Sequence, residues 1–223
     1  MRRVIDLTQP LGPATVLWPG SEPLSAHVVS RIETEHSYAR RITTPEHAGT
    51  HLDAPSHFAP GGDHAHAIPV ERLVVPCAVI DVRAECEADP GFAIEREHVE
   101  EAERVDGPID AGSAVLALTG WERYRSDAER YVGGAFPGFG VGAAELLLER
   151  RVVGLGIDTL GVDPGAAADF PVHHMTLPAG LWHLEGLVNL AELPARGALL
   201  VVGALKLVDG SGTPARVFAL VDS

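Results

Sequence analysis

Apolar residues are distributed along this chain in short blocks, and the spacing within each block predicts an element. Residues 4–7, 27–32 and 38–44 are rich in β-branched and aromatic side chains and read as strands. Residues 74–82 form an almost unbroken apolar run, the pattern of a buried strand. Residues 95–105 are helical by composition, with their charges on a solvated face. A second helix is predicted over 142–151, with Leu146 and Leu147 toward the core and Arg150 and Arg151 at its C-terminal end, where basic groups suit the helix dipole. Strands are expected at 114–119 and 152–157, and two late ones at 199–207 and 215–221. Strand and helix alternate through the middle of the chain, which predicts an α/β fold with a mixed, partly parallel sheet.

Composition narrows the class. The chain has 223 residues, 46% of them hydrophobic, enough for one domain over 1–223 with a sizeable core and too apolar for disorder. A net charge of −14 opposes the basic surface that nucleic-acid binding needs. No stretch approaches the ~18 apolar residues of a membrane span. Asp6, Gln9 and Pro10 interrupt any apolar signal core behind Arg2 and Arg3. A cytoplasmic protein with neither nucleic-acid nor membrane partners is the expectation. Cys77 and Cys86 have no metal-binding or redox spacing, and Cys77, inside the apolar run, reads as a buried thiol.

The chemistry concentrates in HAGTHLDAPSHF, His47 to Phe58, which holds His47, His51, Asp53 and His57. Imidazole nitrogen and carboxylate oxygen are the donors preferred by Zn²⁺, Mn²⁺ and Fe²⁺. Gly49 and Pro55 argue against a helix here. On an extended strand His47 and His51 would lie roughly 13 Å apart at Cα, at the limit for sharing one ion. A bend at Gly49 solves this, because glycine accepts backbone angles closed to other residues. Asp53 would share the strand face of His51, and Pro55 should lead into an irregular loop carrying His57.

The pattern H-x-G-T-H-x-D-x-P-x-H-F resembles the signature of the cyclase family of metal hydrolases, which includes bacterial kynurenine formamidases and isatin hydrolases. The likeness extends over nearly the whole chain: Trp18-Pro19-Gly20, FPGF at 136–139, GIDTLGVDPG at 156–165, Pro171-Val172-His173, Glu185-Gly186-Leu187 and GSGTPARV at 210–217. Gly161 departs from it, since relatives often carry serine there. The resemblance implies a β-rich, swivelling cyclase-like fold. It implies that His47, His51 and Asp53 bind a first metal, that Asp53 bridges to a second held also by His173 and Glu185, and that His57 is the acid/base group. The ion would be Zn²⁺ or Mn²⁺, one or two per subunit. His174 remains a rival to His173. Relatives are dimers or higher oligomers, so a homodimer or larger homo-oligomer is expected.

Those assignments imply hydrolysis of a small-molecule amide, an aryl formamide such as N-formylkynurenine or an isatin-type cyclic amide, by metal-activated water. Ester or lactone hydrolysis, a true cyclase or dehydratase, and a metal-binding protein without turnover are the alternatives. Trp18, Phe58 and Trp182 are candidate pocket walls, in line with the preference of ligand sites for aromatic linings. Other signatures are missing. Gly154, Gly156 and Gly161 miss the dinucleotide fingerprint, no GxSxG elbow occurs, and Ser211 reads as part of a turn before the last strand.

Overall fold

The computed structural model describes residues 2–222. The chain opens with β1 (Arg2–Asp6) and then runs into a hairpin of β2 (Ser25–Ser30) and β3 (Ala39–Thr43), joined through the single-turn helix α1 (Ile32–Glu35). The three-residue strand β4 (His51–Asp53) follows. The middle runs β5 (Val74–Asp81), α2 (Arg83–Ala88), β6 (Ala93–Ile94), α3 (Arg96–Asp106), β7 (Ala114–Leu118), α4 (Ala128–Val132), β8 (Gly138–Phe139), α5 (Val141–Glu149) and β9 (Gly154–Ile157), in which β5, α3, β7, α5 and β9 are the expected alternation and the short α2, β6, α4 and β8 are additions to it. The last section is α6 (Pro171–Thr176), β10 (Trp182–Glu185), β11 (Ala198–Ala204) and the long β12 (Gly212–Asp222).

The main sheet has the order β1-β12-β11-β5-β7-β9-β10-β4, and β4 pairs back onto β12, closing it into a barrel. Pairings β5–β7, β7–β9 and β9–β10 are parallel and the others antiparallel. Closure rests on the length of β12: its start, Gly212 to Pro214, pairs with β4, and residues from Ala215 onward pair with β11.

Strand alternation divides the core in two. Cys77 and Val79 point into the barrel with Leu116, Trp182, Leu184, Leu200 and Val217. Ala78 and Ile80 point outward with Val115, Ala117, Leu155 and Ile157, under Val99 of α3 and Leu146 and Leu147 of α5. A strand covered on both faces needs apolar residues at every position, as in Cys77 to Ile80, which are buried consecutively, whereas Val74, Pro76 and Asp81 of the same strand are exposed. Each fully buried Val, Leu or Ile of this core contributes about 1.5–3 kcal/mol. Gly154 serves this packing. A Cβ there would lie 2.3 Å from the Trp182 ring, so the indole rests on bare backbone.

The differences from expectation are local. Ile32 belongs to α1 rather than a strand, β9 starts at Gly154 rather than 152, and β11 ends at Ala204 rather than 207. His57 closes a short 3₁₀ helix, Pro55–His57, instead of an irregular loop. Proline at the first position of that turn supplies a helical φ and needs no donor. The short elements α6 and β10 were not foreseen, since six and four residues carry too little periodicity to register.

Candidate metal centre and pocket

Two strands present most of the polar groups. In β10 and β4, His183 lies opposite Asp53 and Glu185 opposite His51. Trp182, Leu184 and Leu52 face the barrel interior, so His51, Asp53, His183 and Glu185 emerge together on the other side. His47 arrives from the preceding turn, where Gly49 has φ +63° and reverses the chain. Thr50 ties this turn down. Its hydroxyl donates to the Gly186 carbonyl at 2.6 Å and accepts from the Gln9 N–H at 3.0 Å.

The hydrogen bonds around each imidazole choose the nitrogen it offers. His51 Nδ1–H donates to the Gly49 carbonyl (2.9 Å), so Nε2 faces Asp53 Oδ1 at 3.3 Å and Glu185 Oε2 at 3.4 Å. His173 Nδ1–H donates to Asp163 Oδ2 (2.5 Å), leaving Nε2 3.5 Å from Asp53 Oδ2 and 3.3 Å from Glu185 Oε1. Asp163 also accepts the Val172 and His173 N–H groups, so one carboxylate fixes both the start of α6 and the imidazole on it. For His47, Ser211 spends its hydroxyl proton on Glu46 (2.7 Å) and accepts from Nε2–H (2.9 Å). Nδ1 of His47 then points at Asp53 Oδ1, 2.6 Å away.

The result is two donor groups sharing Asp53: His47, His51 and Asp53, and Asp53, His173, His183 and Glu185, with the offered atoms of each group within 4.8 Å of one another. Burial alone would lower the His51 pKa, but the Asp53 and Glu185 carboxylates raise it to about 10. His173 is likewise held well above the usual imidazole range, against its burial, by Asp163, Asp53 and Glu185. Burial and the adjacent His173 push His183 down to about 3. Desolvation opposes ionisation of Glu185, as does the Asp53 charge, yet His173 and His51 bring it to about 2.

His47, His51, Asp53, His173 and Glu185 form the floor of a pocket of about 320 Å³, walled by Trp18, Phe58, Phe136, Leu160 and Phe170. Trp18 meets Phe170 at 5.7 Å and Phe58 meets Phe170 at 5.8 Å between centroids. His57 stacks on His47 at 4.0 Å and keeps an edge open to solvent. Desolvation of its ring lowers its pKa. It joins neither donor group. His174 is exposed, with its ring on Phe58, so His173 is the histidine beside the carboxylates. Trp182 is the one pocket candidate placed elsewhere. It is 0% exposed against 40% for Trp18, and its Nε1–H donates to the Arg72 carbonyl at 3.0 Å. Its odd offset from Glu185 puts it on the opposite strand face.

The Cyclase family model matches residues 5–164. The chain belongs to the cyclase family. An isatin hydrolase of Roseibium aggregatum is 32% identical over 240 residues, covering 98% of this chain and 91% of that protein. A kynurenine formamidase of Salinibacter ruber is 30% identical over 217 residues, covering 96% and 95%. The crystal structure of an isatin hydrolase bound to the product analogue thioisatinate superposes with a TM-score of 0.95 at 31% identity, covering 100% of this chain and 93% of that one. The closed, partly parallel sheet is thus the cyclase fold.

A divalent cation suits this cyclase-family donor set on chemical grounds. Imidazole with carboxylate is a Zn²⁺ or Mn²⁺ combination. Asp53 Oδ2 is buried without a hydrogen-bond partner among the described residues, an uncompensated anionic oxygen that a cation would satisfy. Asp163, His183 and Ser211 escaped the sequence reading as members of the site. For His183 a signal existed: in Trp182-His183-Leu184-Glu185 it shares the parity of Glu185. Asp163 and Ser211 lie in the motifs GIDTLGVDPG and GSGTPARV, but nothing in their spacing points them at the histidines. Phe136 and Phe170 reach the pocket from loops whose paths only the fold defines.

Proposed function

We propose that this cyclase-family hydrolase cleaves the C–N bond of a small aromatic amide, an aryl formamide such as N-formylkynurenine or an isatin-type cyclic amide. The observation that carries this is Asp53, one carboxylate shared by two donor groups on the floor of an aromatic-walled pocket. His47, His51 and Asp53 would hold one divalent cation, and Asp53, His173 and Glu185 a second, zinc or manganese in either place. What such a cation supplies is Lewis acidity, which lowers the pKa of water from about 15.7 toward 7 and polarises a carbonyl.

The chain's own groups do the rest. Trp18 and Phe58, with Phe136 and Phe170, stack on a flat substrate and keep bulk water from the scissile bond. A ring nitrogen of His57 takes the proton of the attacking water and delivers it to the leaving nitrogen. Its lowered pKa keeps it neutral, and able to accept, at pH 7. Asp163 and the Gly49 carbonyl hold His173 and His51 in the required orientation throughout.

Two coarser features belong to the same reading. No helix among the described residues is long and apolar enough to cross a membrane. Free, buried Cys77 and Cys86 support a reducing, cytoplasmic setting. The β2–β3 hairpin exposes Val28, Val29, Ile32, Tyr38 and Ile42, an apolar surface suited to pairing with a second copy as a homodimer.

The deciding experiment assays N-formylkynurenine and isatin side by side on enzyme reconstituted with Zn²⁺ or Mn²⁺. Chelator-sensitive turnover of one, restored by metal, is expected. Stoichiometric metal with neither substrate turned over would overturn the substrate assignment and direct the search to lactones and esters.

A further inference from the structure

Thr176 decides which nitrogen of His183 carries the proton. The Thr176 hydroxyl donates to the Val172 carbonyl at 2.7 Å, one turn earlier in α6, so its only proton is committed. Toward His183 Nε2, also 2.7 Å away, it can only accept. Nε2 therefore carries the hydrogen, and Nδ1 presents a bare lone pair. Nδ1 is buried and has no hydrogen-bond partner among the described residues. It lies 3.9 Å from Asp53 Oδ2, which is buried and unpartnered in the same way. Two electron-rich atoms facing each other in a buried interior repel unless something positive lies between them.

The surroundings fit a cation in that place. His173 Nε2 is 3.5 Å from Asp53 Oδ2 and 3.3 Å from Glu185 Oε1. Donors bound at ~2.0–2.1 Å in a tetrahedron stand about 3.3 Å apart. We infer that His183 is a metal ligand whose Nδ1 completes, with Asp53, His173 and Glu185, a closed four-donor site for the second cation. This rests on the metal reading above and adds a division of labour to it. Four protein donors leave no open position, the arrangement of a structural ion, whereas His47, His51 and Asp53 leave one toward the pocket. His183 is the one member of the second group absent from the pocket lining, to which Asp53, His173 and Glu185 contribute alongside His47 and His51, so it would close that site from the interior side.

The test uses the full chain with ¹⁵N-labelled histidine, loaded with ¹¹³Cd²⁺, and reads Cd–N scalar coupling by NMR, the His183 signals being assigned by their loss in His183→Gln. Coupling at His183 Nδ1 together with His173 Nε2 is expected. Coupling at His173 but not His183 would overturn the inference and leave two-cation binding intact. This includes the case of a water molecule donating to both Nδ1 and Asp53. Coupling confined to His47 and His51 would overturn it by removing the second cation, and no bound cadmium would remove the metal reading as well. Zn²⁺ titration of His183→Ala provides the second measurement. Affinity at the second site should fall at least about tenfold, the lower bound seen even for outer-shell partners, with the first unchanged. Equal affinity at both sites relative to the parent protein would overturn it.

Discussion

The two donor groups are built differently although they share Asp53. The first takes His47, His51 and Asp53 from seven consecutive residues, folded by one glycine bend, with His47 only part-buried at the pocket. The second draws on β4, α6 and β10, and all four of its members are buried. A local group costs little chain entropy to assemble and stays accessible, as a reacting centre requires. A group drawn from three elements is held by the sheet itself, through the β4–β10 register and the Asp163–His173 bond. The comparison teaches that the two halves share one pocket floor and differ at their outer members, part-buried His47 on the first and His183, away from the pocket, on the second.

The shared carboxylate is the strongest point of attack. Asp53→Ala should empty both halves and lower turnover by at least about 10²–10³-fold, the range for loss of a principal electrostatic element. Metal analysis with kcat checks this, and full stoichiometry in the variant would break the comparison. His57→Ala should instead keep its metal and lose about 10²–10⁴-fold in turnover, as expected for an acid/base group. Loss of metal along with activity would make His57 a ligand of the accessible half.

Protons offer a finer probe. His51 and His173 carry raised pKa values in the metal-free protein, so each must shed a proton to bind an ion. Calorimetry at pH 7 in buffers of different ionisation enthalpy should show about two protons released on full loading. The linked stability has a definite sign. A histidine raised on folding stabilises fully below its unfolded value of ~6.5 and loses that contribution as pH rises through its folded value. For His51 the latter is about 10. The melting temperature of the metal-free protein should therefore fall between pH 6.5 and 10. A flat profile would argue that the two carboxylates do not hold the imidazolium. The smallest effect is expected at Trp182→Phe, with about 1–2 kcal/mol of stability lost with the bond to Arg72 and the packing on Gly154, and kcat and KM unchanged. A raised KM would contradict the strand parity that separates Trp182 from the pocket.

Legibility followed distance along the chain. His47, His51 and Asp53 could be grouped from spacing alone, and the Gly49 bend needed to join them is present at φ +63°. His173 and Glu185 came from resemblance, and the choice between His173 and His174 had to wait for the first turn of α6, where Asp163 seizes one imidazole and leaves its neighbour in solvent. Trp182 was misjudged because an aromatic beside a site residue is equally good core material. Only the side of β10 it occupies decides, and a four-residue strand is too short to announce its own existence.

By itself the sequence determined the metal-binding vocabulary, the alternating strands and helices, and the doubly covered strands of the core, because donor chemistry, side-chain period and hydrophobicity are local properties. The tertiary structure decided which polar groups converge, which nitrogen each imidazole offers and which aromatics face the pocket. Those depend on sheet register and on hydrogen bonds between residues as far apart as His47 and Ser211, and such contacts exist only once the barrel has closed.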